Sequence, residues 1–228
     1  MVVGRISTVD AKRWKVDIKA QRDAVLQLNS INLPGGVQRM KTYEDQLAMR
    51  TLFQEHDLVS AEVQSINADG VISLHSRSLK YGKLENGQLV IVPSSLVRRL
   101  PQHYVSLPNG VDVILGKNGY IWITRSIPDS WKHESEDMLD EITPLAETLQ
   151  RIRAKHCDTP LTMEERLKVV HVRNCILALS SCNSGADYGE ESISISPESI
   201  MSVFQKSVEL KMQPKVTNLC SMLLSVRQ

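Results

Sequence analysis

The sequence predicts an all-β barrel followed by an α+β domain, on three observations. Between Val2 and Leu74, five short stretches alternate apolar and polar residues with a period of two, and one helix-like stretch falls before the fourth. From Val111 to Ile123, β-branched and aromatic residues flank a glycine-bounded turn on both sides. Beyond Leu139 the apolar residues recur at helical spacing instead, behind residues that start helices.

A chain of 228 residues with 42% apolar content can build one large core or two of ordinary size, which excludes disorder throughout. Its 27 Lys and Arg against 26 Asp and Glu leave a formal charge of +1, so a surface that attracts polyanions has to be a local patch. Cys157, Cys175, Cys182 and Cys220 show no C-x-x-C spacing. They are expected to be reduced, mostly buried thiols rather than a zinc site, and neither metal nor cofactor is expected. No apolar run approaches the roughly 18 to 20 residues that span a bilayer, and the first residues are not a signal peptide. The expectation is a soluble protein of the cytosol or nucleus.

Element by element, Val2 to Val9 alternates around Gly4-Arg5-Ile6, and after Asp10-Ala11-Lys12-Arg13 a second run begins at Trp14 and continues through Val16 and Ile18. Ala24 to Leu28 makes a third strand that leads into Asn32-Leu33-Pro34-Gly35-Gly36, which is turn chemistry. Tyr43 to Phe53 sets Leu47, Met49, Leu52 and Phe53 among charges, as in a short helix. Leu58 to Ile66 alternates, Asn67-Ala68-Asp69-Gly70 turns, and Val71 to Leu74 returns. Five antiparallel strands, one short helix and no parallel crossover fit the OB barrel, which closes its own sheet edges and offers one face to single-stranded nucleic acid. Such faces combine aromatics that stack on bases with Lys and Arg that meet phosphates. The candidates are Lys12, Arg13, Trp14, Lys15, His75, Arg77 and Lys80. Trp14 also reads as a half-buried barrel residue, since aromatics are strand formers first, and His75 as an ordinary strand-end polar residue.

Gly116-Lys117-Asn118-Gly119 spells the Gly-x-x-Gly of KH modules, in which two glycines strip side chains from a turn so that a nucleic-acid backbone can approach. An RNA-clamping loop of that kind joins two helices, whereas these flanks predict a strand, a turn and a strand, with Asn118-Gly119 as the turn pair. Gly116, Asn118 and Gly119 are therefore read as a structural turn under a neighbouring module. Lys117, the one charge in the tetrapeptide, remains a candidate RNA contact.

Tyr81 to Leu107 reads as a connector holding one strand, Gln88 to Val92, and the exposed basic pair Arg98-Arg99. The domain boundary falls near Gly82 to Gly87, giving a barrel over 1–84 and a second domain over 85–228. Glu134, Glu136, Asp137, Asp140 and Glu141 crowd a segment without an apolar face, read as a solvated acidic insertion between Asp129 and Thr162. Leu139 to Lys155 is helix-like. Thr162-Met163-Glu164-Glu165 is a capping box ahead of a helix with Leu167, Val170, Val172 and Ile176. Asn183 to Glu191 is a break, Ser192 to Ser196 a short strand, and Ser196-Pro197 opens a helix ending before Pro214. Val216 to Val226 is a last amphipathic helix. Helices on a small sheet built around Val111 to Ile123 give a KH-like α+β domain.

Several of these segments resemble the ribosomal-RNA-processing protein four family, RNA-binding cap subunits of the RNA exosome. They are Val3-Gly4-Arg5-Ile6, Arg13-Trp14-Lys15-Val16, Asn32-Leu33-Pro34-Gly35-Gly36, Glu44 to Arg50, the long run Asp69 to Leu84, and Gly116 to Ile123. The resemblance implies an S-one-type OB barrel followed by a divergent KH module, seated on a ring of ribonuclease-PH-like subunits beside other cap subunits. It implies a non-catalytic guide that feeds single-stranded RNA to a 3′-to-5′ exoribonuclease for rRNA processing and RNA decay, in the nucleus and nucleolus and also the cytoplasm. It further implies a glycine tetrapeptide that serves packing more than clamping. The family carries a β-rich module ahead of the barrel, whereas here Met1 leads directly into a barrel strand, so either a shortened form or loss of that module is expected, which leaves ring attachment open. Two other functions stay open: a generic OB/KH adaptor or sister cap subunit, and a metal-dependent nuclease using Asp17, Asp69 or Asp112.

Overall fold

In a computed structural model the described residues are 1–31, 41–78, 80–128, 145–183, 194–210 and 214–225. The turn Asn32 to Gly36, the acidic residues Glu134 to Glu141 and most of the break after Asn183 lie outside them. The chain divides into two units, Met1–Asn86 with Ile127–Pro160, and Gly87–Ser126 with Leu161–Gln228.

In the first unit the period-two pattern is realised in three of the five expected strands, whereas the stretch from Val2 buries Val2, Val3 and Gly4 in succession and the stretch from Leu58 buries Val59, Ser60 and Ala61. Strands β1 (Val2–Val9), β2 (Arg13–Asp17), β3 (Ala24–Ile31), β4 (Leu58–Ile66) and β5 (Ile72–Ser76) lie in the order β1-β2-β3-β5-β4, and a β1–β4 pairing closes the barrel. Alternate residues such as Ile6, Trp14, Val16, Leu26 and Leu74 point into a common core. Two short helices, α1 (Tyr43–Leu47) and α2 (Met49–Leu52), fill the crossover between β3 and β4. One expectation fails: β3 and β5 pair in parallel. After the helical crossover β4 pairs with β1, so β5 returns beside β3 in the same direction. Periodicity within a strand carries no information about the direction of its neighbour. Gly4 permits the tight β1–β2 approach, because a Cβ there would run into Val16 Cγ1 and come within 2.9 Å of Ile18 Cγ2.

The unpredicted three-residue strand β6 (Gly82–Leu84) adds to β4, so the barrel sheet runs to Leu84 and the unit to Asn86. Asn86 adopts a left-handed conformation, φ 53°, which asparagine tolerates. Its side-chain amide donates to the carbonyls of His156 and Cys157 near the end of α3 (Leu145–Asp158), and Arg153 donates to Tyr81 O at 3.3 Å. This helix therefore groups with the barrel, although the sequence reading set it in the second domain. Its attachment runs through backbone carbonyls, which no apolar pattern reveals.

The second unit holds a four-stranded antiparallel sheet in the order β7-β10-β9-β8, from β7 (Gly87–Ile91), β8 (Tyr104–Leu107), β9 (Val111–Leu115) and β10 (Tyr120–Arg125). Strand β8 was missed because a four-residue edge strand is too short to show alternation. Helix α4 (Met163–Asn183) packs its Val172, Ile176 and Leu179 into the same core as Leu115, Ile121 and Ile123. It starts at the predicted capping box: Thr162 N–H donates to Glu165 Oε2 at 2.8 Å, and Glu165 N–H donates to Thr162 Oγ1 at 3.3 Å. Helix α5 (Pro197–Glu209) starts behind Ser196, whose hydroxyl accepts from Ser199 N–H at 3.2 Å, and α6 (Val216–Ser225) completes the layer.

Candidate nucleic-acid interface

The turn between β1 and β2 is closed by Asp10 N–H donating to Arg13 O at 2.9 Å, and it is tied to late β3 by Leu28 N–H donating to Lys12 O at 3.1 Å. At that end β3 runs alongside β5, with Ile31 opposite Ser76. Arg77 and Lys80, which follow β5, therefore leave the barrel at the rim where β1 turns into β2. Lys12, Arg13, Arg77 and Lys80 are all exposed, and the topology gathers them at one mouth of the barrel. Arg13 Nε lies 3.0 Å from Asp10 Oδ2, but both groups are well exposed, and such pairs contribute little. That leaves the guanidinium ready to exchange its partner for a phosphate.

The remaining barrel candidates separate from this rim. Lys15 is half-buried on the outer face of β2, opposite Val25. His75 faces outward on β5 with its Nε2 3.9 Å from Glu62 Oε2, which also accepts from the Tyr81 hydroxyl at 3.1 Å. A carboxylate so placed opposes a phosphate at His75. Trp14 is a correction. The strand alternates Arg13 out, Trp14 in, and the indole is fully buried, its Nε1–H donating to Phe53 O at 3.1 Å and its ring edge-on to Phe53 at 5.4 Å. It is a core residue and offers no face to a base.

Among the described residues the one exposed aromatic is Tyr43, 72% accessible, which the sequence reading absorbed into an amphipathic helix. A capping box at Thr42-x-x-Asp45, with Thr42 N–H donating to Asp45 Oδ2 at 2.8 Å, starts the helix at Tyr43, and that helix has no buried residue.

In the second unit the glycine tetrapeptide joins β9 to β10. Gly119 N–H donates to Gly116 O at 3.0 Å and Gly116 N–H to Tyr120 O at 3.0 Å. Lys117 and Asn118 are thus the central turn residues, with Gly119 following in the left-handed region at φ 88°. This corrects the expected Asn118-Gly119 pair. Gly116 and Gly119 are buried, and Val92 N–H donates to Gly119 O at 2.9 Å. A Cβ on Gly119 would collide with Val92 O and come within 3.1 Å of Ser94 N. The turn is occupied by protein backbone where a clamping loop would hold phosphate. Lys117 stands exposed at its tip. Arg98 and Arg99 are exposed, Arg98 lying 3.6 Å from Glu198.

The three carboxylates of the nuclease alternative are each engaged locally. Asp17 Oδ1 accepts from Lys19 N–H at 2.8 Å, Asp69 Oδ1 accepts from Val71 N–H at 3.2 Å, and Asp112 accepts from the Ser126 hydroxyl. Among the described residues no group of three His, Cys, Asp or Glu side chains could hold a metal. All four cysteines are free thiols. Burial, with Glu85 beside it, pushes Cys157 up to about 11, and burial pushes Cys175 up to about 12, so neither is a ready thiolate. A part-buried ion pair went unread in the sequence. Arg125 on β10 reaches Glu165 at 3.5 Å, fastening the α4 capping box to the sheet.

A closed five-strand barrel followed by an antiparallel sheet with helices is the S1/OB barrel and KH-like class of architecture. Residues 1–65 match the family model described as "RRP4, S1 domain", and residues 87–129 match the model described as "KH domain". The resemblance read from the residues is thus carried by both modules. The chain is 44% identical over 181 residues to Exosome complex component rrp4 of Schizosaccharomyces pombe, covering 79% of this chain and 53% of that protein. It is 45% identical over 181 residues to Exosome complex component RRP4 of Bos taurus, covering 79% and 56%. Against the Saccharomyces cerevisiae protein of that name it is 55% identical over 125 residues, covering 55% and 35%. The chain spans about half the length of the first two relatives.

Proposed function

We propose that this chain is a non-catalytic RNA-binding cap subunit of the RNA exosome, which holds single-stranded RNA and directs its 3′ end toward ribonuclease-PH-like ring subunits that carry the chain onward to the nuclease. The observation that carries this reading is the rim of Lys12, Arg13, Arg77 and Lys80, four exposed cations at one mouth of a barrel that matches the RRP4-type S1 model. In a chain of formal charge +1 such a patch is local, so it draws an RNA strand to one place. Its contacts are with phosphates, which positions RNA without reading its sequence. The KH-like module contributes a rigid platform, since its glycine turn is filled by Val92 and Ser94. The relatives' names, all exosome components, support the same assembly. The proposed sites of action are nucleus, nucleolus and cytoplasm, where rRNA processing and RNA decay take place.

Purified chain incubated with end-labelled unstructured RNA and magnesium or manganese is expected to retard the RNA and leave its length unchanged. Co-purification is expected to recover ring subunits. Metal-dependent shortening that is abolished in Asp17→Asn, Asp69→Asn or Asp112→Asn variants would replace this reading with the nuclease. RNA retention with no ring subunit recovered would favour a free-standing adaptor.

A further inference from the structure

We infer that Tyr43 is the base-stacking platform of the barrel's RNA surface, with Leu47 extending it. This rests on the proposed RNA-binding role and names the residue that gives the surface its contact with bases. Phosphate contacts alone hold a strand loosely, and single-strand surfaces of this class add an aromatic face, which every base can cover. The aromatic that the sequence offers on β2, Trp14, is fully buried. Among the described residues Tyr43 is the one aromatic left exposed, at 72%, and Leu47, one helical turn on, is 69% exposed.

The place of Tyr43 follows from the topology. Helices α1 and α2 lie between β3 and β4 in the chain, and β3 ends and β4 starts at the mouth where the β1–β2 turn and the end of β5 also lie. Met49 of α2 is anchored in the barrel core. The Phe53 carbonyl just beyond accepts the indole N–H of Trp14, the neighbour of Arg13 in β2. The α1 helix has no buried residue, so its ring and its leucine are not needed to hold the fold. An exposed aromatic and a leucine in the crossover at the end of the barrel that carries the four cations match a ligand with flat apolar faces on an anionic backbone, which is single-stranded nucleic acid. The cations at that mouth favour RNA over an apolar protein partner, with the Asp45 carboxylate taken up in capping the helix and the exposed Glu44 left as the one charge of α1 that a phosphate has to avoid.

The test measures fluorescence anisotropy of a labelled oligoadenosine and of an abasic ribose-phosphate oligomer of the same length. The proteins are the full chain and its Tyr43→Ala, Tyr43→Phe and Leu47→Ala variants, each checked for unchanged circular dichroism. Tyr43→Ala is expected to weaken oligoadenosine binding by about 5- to 100-fold, to leave abasic binding within about twofold, and to lose nothing in Tyr43→Phe, which keeps the ring. Leu47→Ala should give a smaller loss with the same base dependence. Oligoadenosine affinity unchanged in Tyr43→Ala overturns the inference while the rim reading stands, and assigns the Tyr43–Leu47 face to a protein. Equal losses for both oligomers also overturn it, by showing that Tyr43 acts through the backbone contacts. Wild-type chain that binds neither oligomer overturns this inference together with the RNA-binding role.

Discussion

Replacing Gly119 by alanine separates a packed turn from a nucleic-acid clamp. At φ 88° an alanine sits in the left-handed region, which costs about 1–2 kcal/mol. Its Cβ would also meet the carbonyl oxygen of Val92, a backbone atom that cannot swing aside, and Ser94 N at 3.1 Å. Relief requires β7 and the turn to part, which puts the Val92 N–H to Gly119 O bond of 2.9 Å at risk, worth a further ~1 kcal/mol. Together these give about 2–4 kcal/mol of destabilisation. Urea unfolding should show the loss as a lower midpoint with little change in slope. Lys117→Ala, at the exposed tip of the same turn, should stay within about 0.5 kcal/mol of wild type. RNA affinity of folded Gly119→Ala, measured well below its unfolding midpoint, should match wild type. A Gly119→Ala protein of wild-type stability with severalfold weaker RNA binding refutes this reasoning, and makes the tetrapeptide a clamp after all.

Trp14→Phe should cost about 1–3 kcal/mol of unfolding free energy, from the lost indole bond to Phe53 O and the poorer fill of the core, with RNA affinity of the folded protein unchanged. Glu165→Ala should cost about 1–3 kcal/mol by thermal melting, because it removes the side-chain half of the α4 capping box and an ionic partner of the buried Arg125 guanidinium. His171 donates from Nε2 to Ser207 Oγ at 2.7 Å, since that hydroxyl itself donates to Phe204 O, and burial holds the His171 pKa below 6.5. Burial lowers His103 as well. A depressed histidine contributes stability that is complete above the unfolded value and is lost as pH falls through the folded one, so unfolding midpoints should decline as pH drops below 6.5. His103 is buried and its shift is dominated by that burial, so His103→Leu should flatten the decline, as melts across a pH series would show.

Strands such as β2 and β3 were legible because they bury alternate residues, so that Val16, Leu26 and Leu28 announce an inner face with no knowledge of their neighbours. Helix starts at Thr162 and Ser196 were legible because capping is local chemistry. The parallel β3–β5 pairing, the edge strand β8 and the seating of α3 on Asn86 were not, since each is fixed by contacts distant in sequence. The same divide runs through the site. Basic residues flanking the β1–β2 turn and following β5 could be read as candidates, because loops that leave one sheet end keep their charges in water. Whether Trp14 faced the ligand or the core depended on strand phase, where a shift of one residue reverses every side chain. Tyr43 escaped notice because helical spacing placed it with apolar residues, and only the structure shows that α1 buries none of them.

The most direct measurement is the salt dependence of RNA affinity, compared between wild type and a variant with Lys12, Arg13, Arg77 and Lys80 all changed to glutamine. Each phosphate neutralised on a single strand contributes about −0.7 to the slope of log affinity against log salt. Wild type should therefore show a slope near −2 to −3. The variant should bind severalfold or more weakly at low salt and lose most of that slope, while its unfolding midpoint stays unchanged. A variant that keeps the wild-type affinity and slope contradicts the account, because RNA would then be held by some other face of the molecule.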